Sequence, residues 1–526
     1  MIHLPNYVCD RWIEGEGEGT ALVDPVSGDA LVRVGSDGLD CARALAHARQ
    51  TGGESLRATS HADRASMLAA VAEVLAHNRA DYFDISRRNA GATEADAGFD
   101  VDGAIFTLKT YARSGKALGQ TRGLVEGGVV PLSKEGNFVG RHFLVPQKGV
   151  AIFINAFNFP AWGLWEKAAP ALLAGMPVLV KPATPTAWLT QRMVADVISA
   201  GILPPGALSI VCGAARDLLT HVREGDVVSF TGSADTARRI RTHPKVVEHA
   251  VRVNIEADSV NAAVLGPDAL PDSAEFDLAV KEIVREMTIK SGQKCTAIRR
   301  VFVSAAHARA LTGAVAARLA RVVVGDPAAE GVRMGPLVSR AQQQAAIAGI
   351  AELRSECELA FGGGEGFTPV GVDASVSAFV QPTLLFCSDG ERAETVHRVE
   401  VFGPVATVIP YADDDALTRM MRRGQGSLVA SVYSSDGVFT DRLVSAVGDL
   451  HGRLMLVDAT VGNAHTGHGN VMPGCLHGGP GRAGGGEELG GLRALGLYLR
   501  RHVVQGSPER IASLAAGCAD AALMWA

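Results

Sequence analysis

The sequence predicts an α/β protein whose first sheet is parallel and covered by helices on both sides. Three observations predict it. Short apolar runs recur from Val150 onward at helix-length intervals, and those runs are too apolar to keep one face wet. A chain of 526 residues also exceeds what one hydrophobic core serves, so two or three units are expected.

Taken in order, Ser60 to Asn89 reads as helix. Met67, Leu68, Val71, Val74 and Leu75 keep one apolar face after a Ser60-to-Asp63 start signal, and the helix is expected to pack on the outside of a sheet. LSKEGNFVGRHFLV at 132–145 and LGLYLRRHVV at 495–504 alternate apolar with polar or charged residues, as strands with one wet face do. They are candidates for pairing between subunits. The parallel runs are VAIFI at 150, PVLVK at 177, LSIVC at 208, VVSFT at 227 and VRVNIE at 251. Such a sheet commonly binds a nucleotide at its carboxyl edge. A second α/β unit starts near Asn261. Its helix, from about Phe276 to Lys290, has Phe276, Val280, Ile283 and Met287 on one face and ends at Gly292. Cys295 follows in a turn, RRVFVS reads as a strand, and 305–323 reads as another helix.

Composition narrows the class. A net charge of −6 lacks the basic excess that a nucleic-acid surface needs. The start, MIHLPNYVCDRW, has no basic region before an apolar stretch, and the longest strongly apolar segment, Ala168 to Val180, is too short to span a bilayer. A soluble, cytoplasmic protein without a membrane partner is expected. The eight cysteines (9, 41, 212, 295, 357, 387, 475 and 518) lack paired spacing and fit free thiols in a reducing compartment.

Several residues could carry chemistry. Cys295 lies in SGQKCTA with Lys290 and Lys294 close in sequence. Cationic charge there would lower a thiol whose ordinary pKa is about 8.5 and raise the nucleophilic thiolate fraction. Read alone, the same cysteine fits a packed core thiol. Glu256 ends VRVNIE, where a parallel strand opens onto the carboxyl edge, a place that also suits a solvated or capping glutamate. Asn158 in INAFNFP follows VAIFI. Its amide could donate to a developing oxyanion, a contact worth about two to three orders of magnitude in rate, or simply form a turn. Lys181 closes VLVK and could hold a ribose or phosphate oxygen; Gly232 and Ser233 of FTGS stand where free amides at a helix start can receive a phosphate. No GxGxxG accompanies them. His465, His468, Cys475 and His477 include zinc-type ligands, but they lie in a glycine-rich loop without finger spacing, and no metal is expected.

In order along the chain, INAFNFP, VKPAT, FTGS, NIEADS, GQKC, GDP with MGPL, QPTLL and EVFGPV resemble the aldehyde dehydrogenase superfamily over essentially the whole length. The resemblance implies that fold: a Rossmann-like cofactor domain (1–131 and 150–260), an α/β catalytic domain (261–480) and a small β oligomerisation region (132–149 and 481–526). It implies Cys295 as nucleophile, Glu256 as the base that activates water, and Asn158 with the Cys295 amide as oxyanion hole. Lys181, Ser233, Glu400 and Phe402 would contact a nicotinamide cofactor, and a homodimer or dimer-based assembly follows. A water-activating glutamate favours a free acid product over acyl transfer to coenzyme A. Where many relatives carry a glutamate, Thr184 removes a charge that would repel a 2′-phosphate, which favours NADP over NAD. EADS replaces the usual glycine pair after the catalytic glutamate with Asp258 and Ser259. A closer resemblance, carried by EADS, REMTIKSGQKCTAIRR and HGGPGRAGGGEELGGLRAL, is to family members of the phenylacetate and benzoyl-coenzyme A (box) pathways. It implies a coenzyme A-linked semialdehyde as substrate, and an enzyme standing alone because no hydratase domain follows. The competing readings are a general aliphatic semialdehyde dehydrogenase using NAD or NADP, a cysteine hydrolase, and a catalytically idle protein on the same fold.

Overall fold

A computed structural model describes residues 1–364 and 367–525; Glu365 and Gly366, within segment 261–480, and Ala526, within 481–526, lie outside the described residues. The five predicted runs form the strands Ala151–Ile154, Val178–Lys181, Leu208–Ile210, Val227–Thr231 and Arg252–Glu256, all mutually parallel. Successive residues point to opposite faces. Phe153 and Val180 enter one core while Ile152 and Leu179 enter another, which is why these runs read as continuously apolar.

The chain lays Ala151–Ile154 in the middle, builds outward to Leu208–Ile210, then returns to the other side for Val227–Thr231 and Arg252–Glu256. Strand order thus reverses beside Ile154, and the carboxyl ends diverge there into a crevice. Asn6–Val8 and Arg11–Ile13 extend the far edge antiparallel. The second sheet orders Glu358–Phe361, Thr383–Phe386, Val405–Tyr411, Arg300–Ser304, Ala262–Leu265, Ser427–Tyr433 and His451–Val457, parallel except at its first strand. A third sheet joins Leu499–Gly506, Val139–Pro146, Gly123–Pro131 and Cys518–Asp520.

Two expectations are corrected. The helix read over 60–89 is two helices, His61–His77 and Arg79–Ala90, divided at Asn78, and the first packs chiefly on helix Glu94–Lys116 rather than on a sheet. Ser60 and Asp63 do close its amino end reciprocally. Pairing of the extension begins at Gly123, ahead of 132, because Gly123–Pro131 is the other arm of the hairpin with Val139–Pro146.

Helix Trp162–Ala174 is buried along nearly its whole length between the first sheet and helix Glu94–Lys116. Among the described residues, no helix is long and apolar enough to cross a membrane. The carboxyl end of helix Trp162–Ala174 would leave carbonyls unpaired, and buried Arg64 joins it to the end of helix Gly53–Ala58: Nε donates to Leu173 O at 2.8 Å, and Nη1 donates to Leu56 O at 2.9 Å and Thr59 O at 2.6 Å. Arg64→Leu leaves the Leu173 and Thr59 carbonyls without this donor, while Leu56 O keeps Thr59 Oγ1 at 2.7 Å, and a loss of about 3 kcal/mol is expected in denaturant unfolding. A variant as stable as the parent would refute that account.

Candidate active site

The turn that leads to Cys295 has a strained backbone. Helix Ala274–Thr288 gives way at Ile289 to Lys290, Ser291 and Gly292, with φ of 49°, 54° and 68°. Left-handed backbone costs a non-glycine residue about 1–2 kcal/mol, so it persists only where partners hold it. Asp96 Oδ1 accepts the Lys290 N–H at 2.6 Å, and Ser291 Oγ donates to Gly335 O at 2.8 Å. At Gly292 a Cβ would stand 2.2 Å from Gly403 O. Beyond the turn, Arg299 Nη2 donates to Gly292 O at 2.9 Å and Lys294 O at 3.1 Å, while Asn261 Nδ2 donates to Cys295 O at 2.7 Å. Cys295 is therefore fixed by side chains from both sheet units. Its own N–H makes no hydrogen bond to a carbonyl among the described residues.

The lysines near Cys295 in sequence do not activate it. Lys294 Nζ lies 2.7 and 2.8 Å from the two oxygens of Glu286, with both side chains 1% exposed. Lys290 Nζ sits over the Phe159 ring at 4.7 Å. Burial raises the Cys295 thiol well above its ordinary value, and the Glu256 charge raises it further. The resting group is a thiol, so attack requires a base at the sulfur.

That base position is held by Glu256, at the end of the strand beside Thr231. Its carboxylate, the Cys295 sulfur and the His477 imidazole lie within 4.8 Å of one another. His477 Nε2 is 2.8 Å from Glu256 Oε2. Burial pushes Glu256 up, but the His477 charge and hydrogen bond, with Lys167, outweigh it and leave the carboxylate below the usual range. Behind them, Lys167 Nζ reaches Glu166 Oε1 at 2.7 Å and Glu488 Oε2 at 3.1 Å. Burial is the main cause that raises Glu488, to about 7.

Two cavities meet at Cys295, Glu256 and Asn158. One is a narrow space of about 50 Å³ walled by Phe99, Phe159 and Trp162, whose ring centroids stand 5.6 to 5.8 Å apart. The other is a cleft of about 580 Å³ at the strand ends, lined by Lys181, Gly232, Ser233, Glu400 and Phe402. Ser233 caps helix Ala234–Arg241, Lys181 Nζ donates to Pro182 O at 3.3 Å, and the Phe402 ring lies edge-on to Phe157 at 5.7 Å. Thr184 starts the turn Thr184–Thr186, next in sequence to Ala183 of the cleft wall. The departure EADS has a structural use. The Ser259 N–H donates to Glu400 Oε2 at 3.2 Å, Ser259 Oγ donates to Asn261 Oδ1 at 2.7 Å, and Asp258 pairs with Arg482.

Sequence reading missed Asn155, Lys167, Glu488 and the aromatic wall, and weighed His477 only as a metal ligand. Asn155 had a signal, since it directly follows the strand Ala151–Ile154; it is buried, touches both cavities, and neither side-chain polar atom has a hydrogen-bond partner among the described residues. Lys167 had none, because a lysine inside an apolar helix reveals no distant partner.

An Aldehyde dehydrogenase family model matches residues 12–490, and the chain belongs to that family. It is an oxidoreductase acting on aldehydes. In sequence it is 68% identical, over 477 residues, to a 3,4-dehydroadipyl-CoA semialdehyde dehydrogenase of Aromatoleum evansii, spanning 91% of this chain and 93% of that protein. Protein MaoC of Klebsiella aerogenes is 39% identical over 182 residues, 34% of this chain and 52% of that protein. In fold it is similar to a betaine aldehyde dehydrogenase of Staphylococcus aureus, with a TM-score of 0.83 at 22% identity over 95% of each chain.

Gly292→Ala forces a Cβ against the Gly403 carbonyl and must move the turn. Aldehyde oxidation should fall about a hundredfold, as a misplaced reacting group does, with a lower melting temperature. Unchanged turnover would show that the turn does not position the sulfur.

Proposed function

We propose that the chain oxidises the aldehyde end of a coenzyme A-linked semialdehyde to a free carboxylic acid, with 3,4-dehydroadipyl-CoA semialdehyde as the substrate. The convergence of Cys295, Glu256 and Asn158 at the meeting point of two cavities carries this reading. The 68% identical relative supports the substrate. The small size of the aromatic space suits a slender chain whose bulky end stays outside.

The strand-end cleft fits a nicotinamide cofactor. Glu400 Oε1 is buried, with Arg299 Nε at 3.9 Å and no hydrogen-bond partner among the described residues, and a Cβ at Gly232 would come 2.6 Å from the Phe230 ring, so the glycine keeps the backbone close. Lys181 and Ser233 would hold the adenosine side and the pyrophosphate; Glu400 and Phe402 would hold the nicotinamide side. When bound, the cofactor supplies the hydride acceptor. NADP is the preferred form, with NAD usable, because Thr184 puts no carboxylate near Lys181.

The chain's own residues do the rest. As the Cys295 sulfur bonds to the carbonyl carbon, Glu256 takes the thiol proton. Asn158 Nδ2 and the Cys295 N–H hold the oxyanion. After oxidation the substrate is a thioester on Cys295. Glu256 gives up the thiol proton to solvent and, again a carboxylate, takes a proton from water; the water oxygen bonds to the acyl carbon, the carbon–sulfur bond breaks, the acid leaves and that proton passes from Glu256 to the sulfur. The chain works in the cytoplasm as a homodimer or dimer-based oligomer. Its extension exposes Val129, Val130, Leu132, Phe138 and Val503, an apolar surface suited to a second copy.

Initial rates with NADP on the coenzyme A thioester and on the free semialdehyde test the substrate. A kcat/KM at least about tenfold higher for the thioester is expected, a preference of about 1.4 kcal/mol. Equal values indicate a general aliphatic semialdehyde dehydrogenase, and turnover without nucleotide a cysteine hydrolase. Cys295→Ala should abolish aldehyde-dependent cofactor reduction. Thr184→Glu should raise KM for NADP about tenfold and leave that for NAD nearly unchanged; an unaltered KM for NADP defeats the cofactor reading.

A further inference from the structure

The Glu256 carboxylate is held from one side only. Oε2 meets His477 Nε2 at 2.8 Å, whereas Oε1 has no hydrogen-bond partner among the described residues and stands free for water. His477 belongs to a short ribbon, Leu476–Gly478 against Glu487–Leu489, in which it lies directly opposite Glu488. Asn254 anchors the ribbon to the Glu256 strand: its Oδ1 accepts the Glu487 N–H at 2.9 Å and its Nδ2 donates to Glu488 Oε1 at 3.2 Å. The ribbon thus delivers an imidazole to the carboxylate, in the wall of the narrow cavity.

We propose that His477 is a positioning residue for hydrolysis of the acyl-enzyme, aiming the Glu256 carboxylate and, through its own charge, setting whether that carboxylate can accept a proton from water. A carboxylate facing an imidazolium is a poor base; one facing a neutral imidazole is a serviceable one. The other charged or titratable groups at the site are Cys295 on the nucleophile turn, Glu166 and Lys167 on helix Trp162–Ala174, and Glu488 across the ribbon. Burial opposes charge on His477, but Glu256 outweighs it and raises the imidazole above the ordinary 6.5. In the step itself, the water oxygen bonds to the acyl carbon and one water proton moves to Glu256 Oε1. The carbon–sulfur bond breaks, and the proton returns from Glu256 to the sulfur. Nothing is oxidised or reduced. Hydrolysis therefore quickens as pH rises through the His477 ionisation and His477 becomes neutral.

This rests on the acyl-enzyme reading given above, and the test separates the two. The full-length enzyme is acetylated with p-nitrophenyl acetate, which needs no nucleotide. Loss of acetyl from Cys295 is followed by intact mass between about pH 5.5 and about pH 9, the span over which a histidine titrates. The parent should lose acetyl faster with rising pH. His477→Gln, which keeps a donor to Glu256, should lose that pH dependence, and His477→Phe should slow the loss about a hundredfold. If both variants follow the parent at every pH, the role of His477 is overturned while the acyl-enzyme stands. If the parent carries no acetyl on Cys295, the acyl-enzyme reading fails and this inference fails with it.

Discussion

A carboxylate cannot stay charged inside a protein without compensation, and Glu256 is 3% exposed. Much of the site follows from that constraint. His477 meets one oxygen directly, and Lys167 adds positive charge from a helix that is otherwise apolar. Lys167 in turn needs Glu166 and Glu488, and Glu488 needs Asn254. Glu166 and Lys167 come from helix Trp162–Ala174, His477 and Glu488 from the ribbon, and Asn254 from the Glu256 strand, so the charge on one strand end binds a helix, a ribbon and a sheet into one arrangement.

The sulfur is handled in the opposite way. Burial and the nearby carboxylate keep Cys295 a thiol at rest, and the lysine beside it is withheld by Glu286. A nucleophile of this kind is quiet until a base takes its proton. Position therefore matters more than resting charge, which accounts for the left-handed turn and the hydrogen bonds from Asn261 and Arg299. Ser259 links the two halves: it holds Asn261, which holds the Cys295 carbonyl, and its N–H holds Glu400 in the cofactor cleft. Ser259, one of the two residues that depart from the usual glycine pair, thus ties the nucleophile turn to the cofactor cleft.

Much of the fold was legible because burial on both faces leaves strong traces. The five parallel strands of the first sheet were visible as apolar runs, and the turn at Gly292 was visible as a helix stop. The break at Asn78 was not, since buried apolar residues continue on both sides of it, from Leu75 to Tyr82 and Ile85. Cys295, Glu256 and Asn158 stood out by motif. His477 did not, because a histidine in a glycine-rich loop reveals nothing of a carboxylate more than two hundred positions away.

By itself the sequence determined the family, the strand ends that carry Lys181, Ser233 and Glu256, and the turn that carries Cys295, because these depend on local periodicity and on motifs contiguous in the chain. Only the tertiary structure decided which charge faces which. Lys294, adjacent to the nucleophile, was spent on Glu286, while His477, distant in sequence, reached Glu256. The reason is physical: electrostatic interaction falls with distance through space and strengthens with burial, and neither quantity is written along the chain.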